Sequence, residues 1–246
     1  MERLAKKVAL VTGGSRGIGA AIVKRLAADG ANVAFTYTKS SEKAQALVNQ
    51  FHQYGKNILA IQADSSNPQA IFNAIETVVN KFGQLDILVN NAGIYIGRPF
   101  EEHTLEDFEQ IMAVNVRALY AAALKAVKHL PEGGRIINIG SNMADNAVSA
   151  QTTLYTMSKS ALTGFTRGLA RDLGPKGITV NVVQPGPIDT DMNPATTELA
   201  DFLRSRMALQ NYGTGDDIAG LVAFLASNEG KYITGTAITI DGGLNA

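Results

Sequence analysis

Near the start of the chain, four apolar residues in succession, Val8-Ala9-Leu10-Val11, run directly into Thr12-Gly13-Gly14-Ser15-Arg16-Gly17-Ile18-Gly19. A run without polar alternation offers no wet face. As a strand it must be buried on both sides, within a parallel sheet covered by helices. The glycines let the backbone turn tightly and come close to a ligand, and a helical pattern then continues through Ala28. Strand, glycine turn and helix in that order bring the free N–H groups and partial positive charge of a helix start to a sheet edge. That is a site for pyrophosphate. The spacing is T-G-x-x-x-G-x-G, not G-x-G-x-x-G, so it is the position after the first strand that favours dinucleotide binding.

The same alternation repeats to the end of the chain. Apolar stretches at 33–37, 58–62, 86–89, 135–140, 178–183 and 237–241 read as further strands. Helical patterns lie between them at 41–54, from Pro68, at 105–130, from Tyr155, and at 216–226. No linker or low-complexity stretch interrupts the series. One doubly wound α/β domain with a parallel sheet, a Rossmann fold over residues 1–246, is therefore expected. Residues 191–213 read as a mobile, partly helical excursion, a lid over a substrate. The notable loops, 12–19, 90–93, 141–154 and 185–190, all follow the C-terminal ends of strands, where open α/β sheets bind ligands.

Lys plus Arg and Asp plus Glu both number 22, so a basic nucleic-acid surface is not expected. The absence of cysteine excludes disulfides and thiolate sites from this sequence, and His52, His103 and His129 lack ligand spacing, so no metal is expected. No apolar run approaches the ~20 residues of a membrane span. No signal-like segment precedes the first strand. A cytoplasmic protein without a membrane partner is the expectation.

The second strand ends in Thr36-Tyr37-Thr38-Lys39-Ser40-Ser41, where an NAD site usually carries an acid for the ribose 2′-hydroxyl. Here there is none. Lys39 and Arg16 suit a 2′-phosphate instead, which favours NADPH over NADH. Tyr155 and Lys159 are four residues apart on a helix and share a face. A cation beside a phenol should lower its pKa from about 10 and suit it to proton transfer near neutral pH. Asn115 falls among Phe108, Met112 and Leu119, and burial requires it to find hydrogen-bond partners.

These pieces together resemble the short-chain dehydrogenase/reductase family over essentially the whole chain. The resemblance rests on T-G-G-S-R-G-I-G at 12–19, Asp64, N-N-A-G at 90–93, Asn115, Ser141, Y-x-x-x-K at 155–159 and P-G-P-I-D-T at 185–190. It implies that Tyr155 is the acid in carbonyl reduction and that Lys159 lowers its pKa and binds the nicotinamide ribose. It also implies that Ser141 orients the carbonyl and that Asn115 holds a relay water. The cofactor residues it implies are Gly13, Ser15, Arg16, Gly17, Ile18 and Gly19, then Tyr37, Lys39, Asp64 and Ser65. Asn91, Ala92 and Gly93 join them, followed by Pro185 and Gly186 and by Ile188 and Thr190, the last two flanking the nicotinamide carboxamide.

The expected function is NADPH-dependent reduction of a small, fairly apolar ketone or aldehyde to its alcohol. The sequence is also similar to 3-oxoacyl-acyl-carrier-protein reductases. Glu132, however, stands before the serine-bearing strand where a cation would help an acidic carrier dock, while Lys176 keeps charge at the second docking position. A nucleotide-binding regulator on the same fold is the rival from outside enzymes. The helices at 105–130 and 155–173 carry more apolar positions than one sheet face covers, so a homo-oligomer, a tetramer, is expected.

Overall fold

All four residues of β1 (Val8–Val11) are buried, as an apolar run without alternation requires. The computed structural model describes residues 3–52 and 57–246. In it, β1 lies mid-sheet between β2 (Asn32–Tyr37) and β4 (Ile87–Asn90). Seven strands pair in parallel, in the order β3-β2-β1-β4-β5-β6-β7. The others are β3 (Ile58–Gln62), β5 (Arg135–Ile139), β6 (Thr179–Pro185) and β7 (Ala237–Ile240). Strand order reverses between β1 and β4. The crevice at their C-terminal ends is where a doubly wound sheet accepts a ligand.

Helices α1 (Gly17–Ala28), α2 (Ser41–His52) and α8 (Gly215–Ala226) cover one face, with Ile22, Leu26, Phe35 and Val222 fully buried beneath them. On the other face lie α3 (Pro68–Phe82), α5 (Ala118–Ala126) and α6 (Thr153–Leu173), over Leu10, Ile75, Leu88 and Ile136. Proline opens α3 while the Asn67 side chain accepts from the amides of Gln69 and Ala70, so its start is both pre-shaped and capped. Residues 53 and 54, expected to end the second helix, lie outside the described residues.

The expected single helix over 105–130 is three pieces. After α4 (Leu105–Met112), a wider π-helical turn occupies Ala113–Arg117 before α5 begins. The widening accompanies a polar side chain directed inward: Asn115 is fully buried. Within 191–213 lies the helix α7 (Glu198–Arg206). Its Ala200 and Leu203 pack with Met207, Tyr212 and Leu244 in a small cluster separate from the main core. Among the described residues, no helix is long and apolar enough to cross a membrane.

Candidate active site

The loop after β1 and the loop after β4 are knitted together across the switch point. Thr12 Oγ1 accepts from the amides of Asn91 and Ala92, each at 3.0 Å. In return, the Asn91 side-chain amide donates to the Thr12 and Gly13 carbonyls, also at 3.0 Å. Both its donor hydrogens are thereby spent on the loop, so Asn91 acts here as a strut. Gly13 donates to Thr36 Oγ1 at the end of β2. A Cβ at Gly19 would lie 2.3 Å from the Gly13 carbonyl oxygen and 2.5 Å from Asn91 Nδ2, so only glycine permits this closeness. The extended Arg16 precedes α1 and makes no side-chain cap, and no acid occupies the helix's first turn. The helix start therefore keeps its donors and its partial positive charge for an anion.

Along the cofactor edge, Tyr37 ends β2 and its carbonyl accepts from Ala63. Asp64 accepts from the Ser66 amide at 2.9 Å, and Ser65 is buried beside it. On the far side of the crevice, Gly186 donates to the Ile240 carbonyl, and the buried Ile188 bridges to Gly213. Thr190 exchanges backbone hydrogen bonds with Asn193.

Tyr155 and Lys159 emerge from the first turns of α6, facing the end of β5. Lys159 is buried, and its ammonium donates to the Ile139 carbonyl at 2.9 Å. Its Nζ lies 5.7 Å from the centre of the Tyr155 ring. Burial without a carboxylate brings the lysine down to about 8. Tyr155 departs from expectation. Burial pushes its phenol up to about 12, against the downward pull of hydrogen bonding with Ser141 and with a small upward push from Tyr95. Helical spacing brings the cation to the face of the phenol, but the cation is committed to a carbonyl, and desolvation wins. Tyr95 packs edge-on against Tyr155, with ring centres 5.2 Å apart.

Ser141 follows β5, and its hydroxyl also caps the short turn at Asn142–Ala144 by accepting from the Met143 amide. Asn115 grips Ile94 at both ends, accepting from its amide at 2.8 Å and donating to its carbonyl at 2.9 Å. Its second amide hydrogen goes to Ser158 Oγ at 3.0 Å, and Ser158 in turn donates to the Tyr155 carbonyl at 2.7 Å. The buried asparagine has the partners the sequence demanded, and they tie the 94 loop to the Tyr155 helix. A Cβ at Gly93 would stand 3.4 Å from both Lys159 Nζ and Asn115 Oδ1, which puts N-N-A-G, Asn115 and Lys159 at one point.

Several residues that shape the site went unread in the sequence. Thr12 and Thr36 carried a weak signal, as hydroxyls beside glycine turns. Others are joined only by the fold. The Asp241 carboxylate accepts from the Gly243 and Asn245 amides, each at 3.0 Å, and from Asn142 Nδ2 at 3.4 Å. Asn245 Nδ2 donates to the Asn142 carbonyl at 2.8 Å. The turn after β7 thus holds the loop that carries Ser141.

Comparison with known proteins matches residues 13–245 to a family model described as enoyl-(acyl carrier protein) reductase. A short-chain dehydrogenase from Burkholderia cenocepacia, solved in complex with NADP, is 58% identical with a TM-score of 0.98, covering 99% of this chain and all of that one. The cyclic-di-GMP-binding biofilm dispersal mediator protein of Escherichia coli is 47% identical over 98% of both chains. A hydroxynaphthalene reductase from Aspergillus fumigatus is 40% identical over 94% of this chain and 90% of its own.

Proposed function

The chain belongs to the short-chain dehydrogenase/reductase family of oxidoreductases, and from that premise we propose that it reduces a ketone or aldehyde carbonyl to an alcohol with NADPH. The observation that carries this reading is the convergence of Tyr155, Lys159 and Ser141 at the ends of β4 and β5, beside a crevice floored by Gly93. The crevice fits a dinucleotide. Its glycine loop and uncapped helix start suit the pyrophosphate, and two cations, Arg16 before α1 and Lys39 after β2, support a cofactor with a 2′-phosphate. Relatives and neighbours named as reductases or solved with NADP support the same assignment.

A bound nicotinamide would supply the hydride. The chain's own part is to place the carbonyl and deliver the proton. Ser141 orients the carbonyl oxygen toward the Tyr155 hydroxyl. A phenol raised to about 12 keeps its proton throughout the neutral range, so it waits as a loaded acid. Lys159 brings positive charge beneath the ring, and the Asn115–Ser158 bridge fixes the loop and helix between which the reaction proceeds. Residues 191–213 act as a lid, and Tyr95, exposed and packed edge-on against Tyr155, gives the substrate an apolar neighbour.

Loss of NADPH absorbance on a panel of ketones, aldehydes and acyl thioesters tests this reading. Turnover with simple carbonyls and preference for NADPH over NADH are expected. No turnover across the panel would sink it. Selective turnover of carrier-bound 3-oxoacyl thioesters would move the assignment to the acyl-carrier alternative, which Glu132 disfavours. A second reading, a nucleotide-binding regulator, is favoured by the 47% identity to a protein named for binding cyclic-di-GMP. Saturable binding of that dinucleotide without any carbonyl turnover would establish it.

A further inference from the structure

Asp191 opens the excursion between β6 and α8, directly after Thr190. Its carboxylate reaches back across the crevice mouth to two cations that belong to the other side. Lys43 Nζ is 2.8 Å away and Arg16 Nη1 is 3.8 Å away. Lys43, and secondarily Arg16, hold the carboxyl below its ordinary range. Arg16 comes from the glycine loop, and Lys43 from the first turn of α2, just past the end of β2. Beside Lys43, the stretch Lys39, Ser40, Ser41, Glu42 and Lys43 lines a cavity of about 270 Å³. This is the place where an NADPH site must present positive charge and hydroxyls. Ser40, Ser41 and Lys43 add to the Arg16 and Lys39 that the sequence singled out.

The carboxylate on the lid therefore engages the same cations that a 2′-phosphate would need. We propose that Asp191 is an internal competitor for the cofactor's 2′-phosphate, so that NADPH, and not NADH, frees the lid by displacing it from Arg16 and Lys43. This rests on the reading of the chain as NADPH-dependent. All three side chains are more than half exposed. Exposed single pairs are weak and readily exchanged. A phosphate monoester carries nearly two charges and accepts two parallel bonds from a guanidinium, so it outcompetes a lone carboxylate there. Glu42, the acid that lines the cavity, sits on α2 and stays behind when Asp191 leaves. Thr190 lies against the glycine loop: a Cβ at Gly17 would meet its Cγ2 at 3.5 Å. Displacing Asp191 would therefore release one of the ties on the segment that leads into the lid, the others being the backbone bonds of Asp189 to Gly213 and of Thr190 to Asn193. The latch would favour a lid held in place until the phosphorylated cofactor arrives.

Two adenosine fragments that differ only in the 2′-phosphate, 2′,5′-ADP and 5′-AMP, test this by calorimetry on the wild type and Asp191→Asn. The variant is expected to bind 2′,5′-ADP about two- to five-fold tighter, the range an exposed ion pair commands. Its affinity for 5′-AMP should not change, and the gain should vanish at about 1 M salt. Limited trypsin cleavage after Arg204 and Arg206 reports on the lid. In the wild type, 2′,5′-ADP should accelerate cleavage and 5′-AMP should not; in Asp191→Asn, cleavage should be fast without either. If 2′,5′-ADP leaves wild-type cleavage unchanged, or if the variant gains equally for both fragments, the latch is refuted while the NADPH assignment stands. If the wild type binds 5′-AMP as tightly as 2′,5′-ADP, the NADPH assignment falls, and the latch with it.

Discussion

The Lys159 ammonium donates to the Ile139 carbonyl at 2.9 Å and stands 5.7 Å from the centre of the Tyr155 ring. The two side chains share a helix face as their spacing requires, yet the strongest partner of the cation is the end of β5. The lysine is a buried charge without a carboxylate, and that has a consequence for stability.

Lys159→Met removes that charge. The folded lysine titrates at about 8 against an ordinary 10.5. Below pH 8 the wild type bears the full cost of burying it. Between about pH 8 and 10.5 the folded chain has shed the proton while the unfolded chain still holds it, so wild-type stability recovers relative to the variant. The stability difference between variant and wild type should therefore shrink across that window, by an amount of order 3 kcal/mol at one pKa unit per ~1.4 kcal/mol. Denaturant titrations at pH 7 and pH 10.5 measure it. A difference that does not change with pH would show that the lysine is not buried as a cation.

Tyr155→Phe should keep the fold and the affinity for NADPH while turnover drops by about 10²- to 10⁴-fold, the usual worth of a positioned acid. The ring still fills its place against Tyr95, but it has no proton to give. Steady-state rates, with cofactor binding followed by fluorescence, check both halves. Activity within a few-fold of wild type would remove Tyr155 from the role.

Asn115→Ala strands the Ile94 amide and carbonyl and takes a donor from Ser158. Buried groups left without partners cost ~1–3 kcal/mol each, so a loss of about 2–4 kcal/mol in unfolding free energy is expected after partial relaxation. The denaturant midpoint reads this directly. A midpoint equal to wild type would mean the bridge is replaced without cost.

Light scattering should give a tetramer, several times the 26.0 kDa chain mass. Of the apolar residues on the helices at 105–130 and 155–173, Leu119, Leu162 and Leu173 are core residues. Tyr120 and Leu124 are not: they are 56% and 49% exposed, and Tyr120 lies 6.2 Å from Phe165 across the two helices. A monomer at micromolar concentration would refute the expectation and leave that face to another partner.

The parallel sheet was legible because Val8–Val11 and its counterparts are apolar on both faces, a local property of a few residues. Legible too was the pairing of Tyr155 with Lys159, since helical spacing is periodic. The π turn around Asn115 was not, because nothing in 105–130 marks where a helix will widen to admit a polar side chain. The direction of the Tyr155 shift was misread for a related reason. Spacing reveals a neighbouring cation but not the carbonyl that claims it, nor how dry the site is. Asp191 on Lys43 and Asn245 on Asn142 join residues 148 and 103 positions apart, and only the completed sheet brings them together.

The grip of Asn245 and Asp241 on Asn142 also sets an order of events. The glycine-loop side of the crevice comes from β1, β2 and β4 and has been made once residue 93 is in the chain, whereas its far side at 186–190 and the helix α8 that covers β1 come much later. Ser141 cannot be locked in place early. The turn that holds its loop is synthesised about a hundred residues later and closes one of the longest loops in the molecule. The serine's loop thus waits on the last residues of the chain to be made.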